Sequence, residues 1–194
     1  MSRTLRLFLL TLFFASPCLA QTIPAWEVFG GYSQQQSNVK QYYKSTPIIY
    51  TVRNQIVNLK GWDVSVTENI NRWFGGTLDI RGHYRKPTVL GSANRERMYS
   101  VMYGPRFSFR GSPSIVPFAH VLLGVAHMDL KVTPTGPRAS DASFAMAEGG
   151  GLDLKFWNNA AIRVVQAEYL RANALGANQN SFRFSAGVIL YLGK

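Results

Sequence analysis

The chain has 194 residues, a formal net charge of +11, 46% hydrophobic residues, 16% charged residues and a mean hydropathy of −0.05. That length fits one domain, and beyond the first twenty residues no stretch approaches the roughly 18 consecutive apolar residues of a membrane helix. The single cysteine, Cys18, lies within those twenty residues, so the remainder has no disulfide framework, cysteine metal site or thiol nucleophile.

Residues 1–20 have the order of a secretory signal peptide. Arg3 and Arg6 precede the apolar run 7–14 (LFLLTLFF), and the small-residue segment 15–20 (ASPCLA) follows. Cleavage is expected between Ala20 and Gln21, leaving a mature domain of 174 residues over 21–194. Pro17 directly before Cys18 fits a lipoprotein site badly. If the mature chain is in a membrane it must cross as a closed barrel, because only helices and barrels satisfy every backbone group in lipid. Barrel strands are only half apolar, so near-zero hydropathy is compatible with one; a soluble β-protein would look the same.

Alternation of apolar and polar residues, with a period of two, predicts eight strands, and the first is 26–33 (WEVFGGYS). In 59–69, Trp62, Val64 and Val66 alternate with Asp63, Ser65 and Thr67; in 73–84, Phe74, Leu78, Ile80 and Tyr84 alternate with Thr77, Asp79, Arg81 and His83. In 98–110, Tyr99, Val101, Tyr103, Phe107 and Phe109 oppose Ser100, Gly104, Arg106 and Ser108. Segment 116–129 reads well in neither parity, although Val121, Leu123 and Val125 outward would place His120 and Gly124 inside. In 143–156, Leu152, Leu154 and Phe156 outward put Asp153 and Lys155 inside but aim Glu148 at lipid, so Gly149-Gly150-Gly151 is a candidate bulge that resets the register. In 161–171, Val165, Ala167 and Tyr169 oppose Gln166 and Glu168. The last segment, 181–193, sets Phe182, Phe184, Ala186, Val188, Leu190 and Leu192 against Arg183, Ser185, Gly187, Ile189 and Tyr191.

The connectors alternate strictly. Short turns at 70–72, 111–114 and 157–159 are rich in Asn, Gly and Pro, whereas 34–58, 85–97, 130–142 and 172–180 are long and polar. An even number of strands with all short turns at one rim and all long loops at the other is the order of an outer-membrane barrel, short turns periplasmic. The expected fold is therefore all-β: an eight-stranded antiparallel up-and-down transmembrane β-barrel. Aromatics near strand ends fit interfacial girdles, which favours apolar residues outward. The inward set is then Asp63, Asp79, Arg81, His83, Arg106, Asp153, Lys155, Gln166, Glu168 and Arg183. An eight-stranded barrel has room only for its own side chains, so these form a packed polar lumen, with Arg106 or Arg183 set against Glu168 or Asp153. Two alternatives are a narrow porin-like channel and a soluble calycin-like barrel around an apolar ligand, which requires the opposite parity.

The strings VFGGYS (28–33), LKGWDVSV (59–66), NRWFGGTLDIRGHY (71–84), YGPRFSF (103–109), PFAHVLLGVAHM (117–128), FAMAEGGGLDLK (144–155) and FRFSAGVILYLG (182–193) resemble, in order, the bacterial outer-membrane β-barrel family of OmpA-like eight-stranded domains. The resemblance implies a small monomeric barrel in the bacterial cell outer membrane without catalytic residues. The final strand also resembles the signal read by the barrel-assembly machinery, with Ser185 at the polar position, Gly187 at the glycine, and Leu190 and Leu192 at the apolar positions. It departs from the common form by ending in Gly193-Lys194 rather than an aromatic residue.

Enzyme chemistry has little support. There is no G-x-S-x-G elbow, His83, His120 and His127 lack metal-ligand spacing, and no Ser and His are spaced to share one patch. No cofactor or metal is expected. The tripled glycine lacks the Lys-Ser/Thr of a phosphate loop. Charge is more informative. Without Arg3 and Arg6 the formal charge is +9, and +8 of it lies in the long connectors and their flanks, where Lys40, Lys44, Arg53, Arg85, Lys86, Arg95, Arg97, Lys131, Arg138 and Arg171 stand against Glu96 and Asp141. A nucleic-acid binder would not interleave its charge with membrane-length strands. The expected partner is the anionic layer of lipopolysaccharide, contacted by Arg85, Lys86, Arg95 and Arg97. The longest connector, 34–58, with Tyr42, Tyr43, Ile48, Ile49 and Tyr50, is the candidate for an external partner.

Overall fold

The computed structural model describes residues 23–46, 49–85, 88–89, 92–132, 138–174 and 177–193. The expected signal peptide and cleavage site, together with Lys86 and Lys194, lie outside the described residues. Among the described residues nine strands are present: β1 (Trp26–Thr46), β2 (Ile49–Asn69), β3 (Phe74–Arg85), β4 (Thr88–Val89), β5 (Ser92–Ser108), β6 (Ile115–Val132), β7 (Arg138–Trp157), β8 (Ala160–Ala174) and β9 (Ala177–Leu192). β4 has two residues and pairs with the start of β5. The other eight are antiparallel to their neighbours, and two pairings close the barrel: β1 with β9, from Trp26 opposite Leu192 to Ser33 opposite Ser185 and beyond, and β3 with β5.

Short turns join β2 to β3, β5 to β6 and β7 to β8 at one rim. At the first of these, Asn71 Oδ1 accepts hydrogen bonds from the backbone N–H of Trp73 (3.0 Å) and Phe74 (2.9 Å), a local turn that asparagine is suited to make. The other rim differs from expectation. The connector expected over 34–58 is mostly ladder, with β1 and β2 paired from Gln34 opposite Lys60 up to Thr46 opposite Ile49. β6 and β7 likewise stay paired up to Lys131 opposite Arg138, and β8 and β9 up to Ala174 opposite Ala177. Polar residues occupy both parities of 34–46, so side-chain alternation disappears while backbone pairing continues.

The face assignment follows burial. Tyr103, Val125 and Phe144 on the outside are 61%, 53% and 65% exposed, whereas Asp63, Arg81 and Glu168 are 2% or less. An apolar-in barrel around an apolar ligand is thereby overturned. In β6, Val121, Leu123 and Val125 do point outward and His120 inward, but Leu122 and Ala126 also point inward, which is why this strand has no clean parity. The lumen is in fact layered rather than polar throughout. Toward the long-connector rim it holds an apolar plug including Val57, Leu59, Met98, Met102, Leu122 and Leu170. Fully burying Leu122 and Leu170 there contributes roughly 1.5–3 kcal/mol each. Below the plug lies the charged layer, and Phe29, Ala161, Ile189 and Tyr191 form a second apolar cluster near the short-turn rim.

The register break is also in a different place. β6 and β7 pair without interruption across Gly149–Gly151, and the shift falls instead between Arg163 and Gln166 on β8. Val164 and Val165 both face outward there, a bulge that turns Arg163 into the lumen. Glu148 keeps its outward parity, as the sequence implied. It is paired on that face with Arg171 Nη2 at 2.7 Å, which lowers the cost of placing a carboxylate there.

Candidate functional site

Two groups of side chains carry the chemistry of this barrel: a sealed ion-pair network inside and a cationic patch on the outer wall. The network is built by inward positions of all eight barrel strands. Glu168 on β8 is its hub. It pairs with Arg81 and with Arg183 Nε (3.3 Å), lies 2.7 Å from His120 Nε2, and accepts a hydrogen bond from Gln166 Nε2 at 3.0 Å. Arg81 also reaches Asp79 at 2.8 Å and Asp63 at 3.2 Å. Below it, Asp153 receives Arg106 Nη2 and Arg163 Nε, each at 2.8 Å. Both of those guanidinium groups lie over the Phe118 ring, at 4.0 and 4.3 Å from its centroid. At the short-turn end Glu27 pairs with Arg106 at 3.1 Å and with Arg110, which also donates to Asn69 Oδ1 at 2.9 Å.

Among the described residues the buried acidic and basic side chains, histidines apart, are Glu27, Asp63, Asp79, Asp153 and Glu168 against Arg81, Arg106, Arg110, Arg163 and Arg183. Five carboxyl groups thus stand among five guanidinium groups, acid and base in equal number. A charge removed from water at this depth persists only if paired. Lys155, placed inside by parity, stands apart from the network: it is half-buried near the short-turn rim, its Nζ 5.2 Å from the Tyr191 ring centroid.

One Ser–His contact is present that sequence spacing gave no sign of. Ser33 Oγ lies 3.0 Å from His83 Nε2, and Ser185 Oγ donates to Ser33 Oγ at 3.1 Å. All three residues are at most 4% exposed, so the pair sits within the packed lumen rather than at a surface that substrate can reach.

The outer patch lies at the long-connector end of β5 and β6. Arg95, Arg97, Asp129 and Lys131 line a shallow pocket of about 160 Å³. Arg95 and Arg97 share the parity of the outward residues Val101 and Tyr103, whereas Arg85 is on the inward parity of β3 and pairs with Glu96 at 3.6 Å. The three arginines and one lysine singled out for glycolipid contact are therefore not one surface, and Lys86 lies outside the described residues. Just below the pocket, Trp62 Nε1 donates to Tyr84 Oη at 3.2 Å, and Tyr84 meets Tyr99 edge-on with ring centroids 5.8 Å apart.

The sequence matches the family model of the outer membrane protein beta-barrel domain over residues 7–189. The chain belongs to that family. The protein is accordingly an outer-membrane barrel of a diderm bacterium. Solved barrels share the fold at low identity. Neisserial surface protein A is 14% identical with a TM-score of 0.66, covering 89% of this chain and 100% of that one. OprG of Pseudomonas aeruginosa is 12% identical, with a TM-score of 0.60 and coverage of 90% and 98%. Ail, the attachment invasion locus protein of Yersinia pestis, is 19% identical, with a TM-score of 0.59 and coverage of 87% and 99%, in a complex with the heparin analogue sucrose octasulfate. No curated protein matches the sequence significantly.

Within this outer-membrane barrel, sequence parity missed three members of the network. Arg163 escaped because the Val164–Val165 bulge breaks the alternation that would have placed it. Glu27 and Arg110 stand at strand ends, where alternation has too few residues to read. His120 was placed inside but not joined to Glu168. The residues matched to an assembly signal divide between the two faces: Ser185 is buried in the lumen, Gly187 lies at the β1–β9 seam, and Leu190 and Leu192 are 51% and 53% exposed on the lipid face. Among the described residues no three His, Cys, Asp or Glu side chains are grouped to hold a metal ion.

Proposed function

We propose that this protein is a non-conducting, non-enzymatic surface barrel that works through its external rim, engaging the anionic glycolipid layer of the outer leaflet. The observation that carries the reading is the closed interior. The charges of the lumen neutralise one another, and the apolar plug of Val57, Leu59, Met98, Leu122 and Leu170 lies between them and the long-connector rim. An ion would have to leave water to cross that layer, whose buried polar groups Gln35, Ser37 and Ser181 bond one another, at a cost of several kcal/mol per polar group left unpaired. Planar-bilayer recording of the purified protein is expected to show no discrete conductance steps. Regular steps that change in size with Glu168→Gln would favour the narrow-channel reading instead.

With the lumen neutral, the positive charge of the chain is left to the rim, where Arg95, Arg97 and Lys131 line an outward pocket. Phosphate groups of lipopolysaccharide are the anions present at that height. The fold tolerates polyanion binding, as the Ail complex with a polysulfated sugar illustrates, but the argument for this chain rests on its own residues. Lipopolysaccharide is expected to raise the thermal stability of the wild type, and Arg95→Glu with Arg97→Glu and Lys131→Glu is expected to abolish most of that increase. The effect should weaken as salt rises from 0.05 to about 0.5 M, because exposed charges are screened. An unchanged increase in the triple variant would count against glycolipid contact. We assign the barrel-assembly machinery as the partner that inserts it and a monomer as its working form; gel filtration with light scattering in detergent is expected to return one chain per micelle.

A further inference from the structure

The outer wall across β3, β5 and β6 changes character row by row. Register places Ile80, Val101 and Val125 side by side, and all three are outward and 38–53% exposed. Two residues further along β5, Tyr99 stands opposite His127, and beyond that Tyr84, Arg97 and Asp129 are neighbours. In the next row Arg95 faces Lys131, whose partner on β7 is Arg138. At about 3.3 Å per residue the wall passes from hydrocarbon-facing to cationic within roughly 20 Å along the strand.

Two features of this wall go beyond a charged rim. Like charges directly opposite across antiparallel strands are destabilising, yet Arg95 and Lys131 are so placed, in a pocket whose lining holds three cations and one carboxylate. An anion seated there offsets the repulsion, and guanidinium groups suit phosphate oxygens. Below the cations the aromatic rings are held in place: the Trp62 indole is fixed by its bond to Tyr84 and lies against Gly82, where a Cβ would come within 2.8 Å of the ring. Rings so fixed at the membrane interface give a flat face for the C–H side of a pyranose.

We propose that this wall binds one phosphorylated, acylated glycolipid of the outer leaflet, with its phosphate on Arg95, Arg97 and Lys131, its sugar on the Trp62–Tyr84–Tyr99 shelf and its acyl chains along the apolar row of Ile80, Val101 and Val125. The inference rests on the rim reading above and adds a place, a stoichiometry and a requirement for phosphate and acyl chain together. A soluble anionic polysaccharide would use the cations alone, whereas a phosphorylated lipid spans the cationic, aromatic and apolar rows as one molecule.

Native mass spectrometry of the folded protein released from detergent tests this directly, with bisphosphorylated lipid A, its phosphate-free form, and heparin-derived oligosaccharide as probes. The wild type is expected to retain one lipid A and to lose at least tenfold in retention when phosphate is absent. Arg97→Gln with Lys131→Gln is expected to lose about tenfold, while Lys40→Gln with Lys44→Gln, an equal change of charge on the β1–β2 hairpin, leaves retention unchanged. Trp62→Leu is expected to weaken retention several-fold without changing net charge. Each variant is first checked for the faster gel migration of an unboiled folded barrel. Equal losses in both lysine and arginine variants would overturn the site while leaving a diffuse cationic rim intact. Heparin oligosaccharide displacing lipid A at equal concentration would overturn the choice of lipid. A wild type that retains no lipid A in any form would overturn both the site and the rim reading.

Discussion

Glu168→Ala is expected to destabilise the folded barrel by about 3–5 kcal/mol, the scale of breaking a buried ion pair. The carboxylate is shared by Arg81, Arg183, His120 and Gln166, and truncation leaves Arg183, 1% exposed, without its paired carboxylate and Arg81 with Asp79 and Asp63 alone. Urea titration in phospholipid vesicles, followed by the difference in migration between boiled and unboiled samples, measures the loss. Adding Arg183→Leu is expected to recover part of it, because the second change removes one of the stranded charges. Glu168→Gln should fall between wild type and alanine, since it keeps hydrogen-bonding capacity without charge. A loss below 1 kcal/mol for the alanine variant would mean that the interior relaxes or admits water, and the sealed-lumen account would fail with it.

Gly187→Val is the second large effect expected, and it acts on barrel closure. A Cβ at Gly187 would lie 2.3 Å from the carbonyl oxygen of Gly30 and 2.5 Å from Cα of Gly31. Both obstructing atoms are backbone of β1, the strand that β9 must pair with to close the sheet. The cost therefore exceeds the ~1–3 kcal/mol of ordinary overpacking, which side chains can partly relieve. The valine variant is expected to fail to refold into detergent micelles from urea, where no assembly machinery is present, and to give no fast-migrating band. Leu190→Asn, on the lipid face of the same strand, is expected to refold in micelles. If Gly187→Val refolds normally in micelles but does not accumulate in cells, the glycine acts through recognition by the machinery rather than through packing at the seam.

The barrel's strand count, the facing of most strands and the short-turn rim were legible in the sequence, because the lipid band imposes a two-residue period on the segments that cross it. The same reason limits the reading. Above the band Gln34–Thr46 and Ile49–Asn58 are paired strands, but polar residues such as buried Gln35 and Ser37 occupy inward and outward positions alike, so there is no apolar–polar alternation to read. Inside the barrel, parity found Asp63, Asp79, Arg81, Arg106, Asp153, Gln166, Glu168 and Arg183 but could not tell which charge meets which. Partners come from register and strand tilt, and one extra residue at Val164 changes both. The apolar plug was hidden for a related reason: Leu122 inside and Val121 outside are the same kind of residue, so the contrast on which alternation depends vanishes in β6. On the outer wall, Arg85 and Arg97 look equivalent in a count of basic residues, and the pleat sends them to opposite sides.

The equal number of acidic and basic groups in the interior has a consequence for how this protein can vary. A lumen that is neutral by itself sends little electric field out of either mouth, so the potential displayed to the cell's surroundings is written by the rim alone. Hairpin ends can then be exchanged, lengthened or recharged without upsetting the ionic accounts of the core. The barrel is in that respect a mounting, and lineages or engineers can refit what it holds up while leaving the frame untouched.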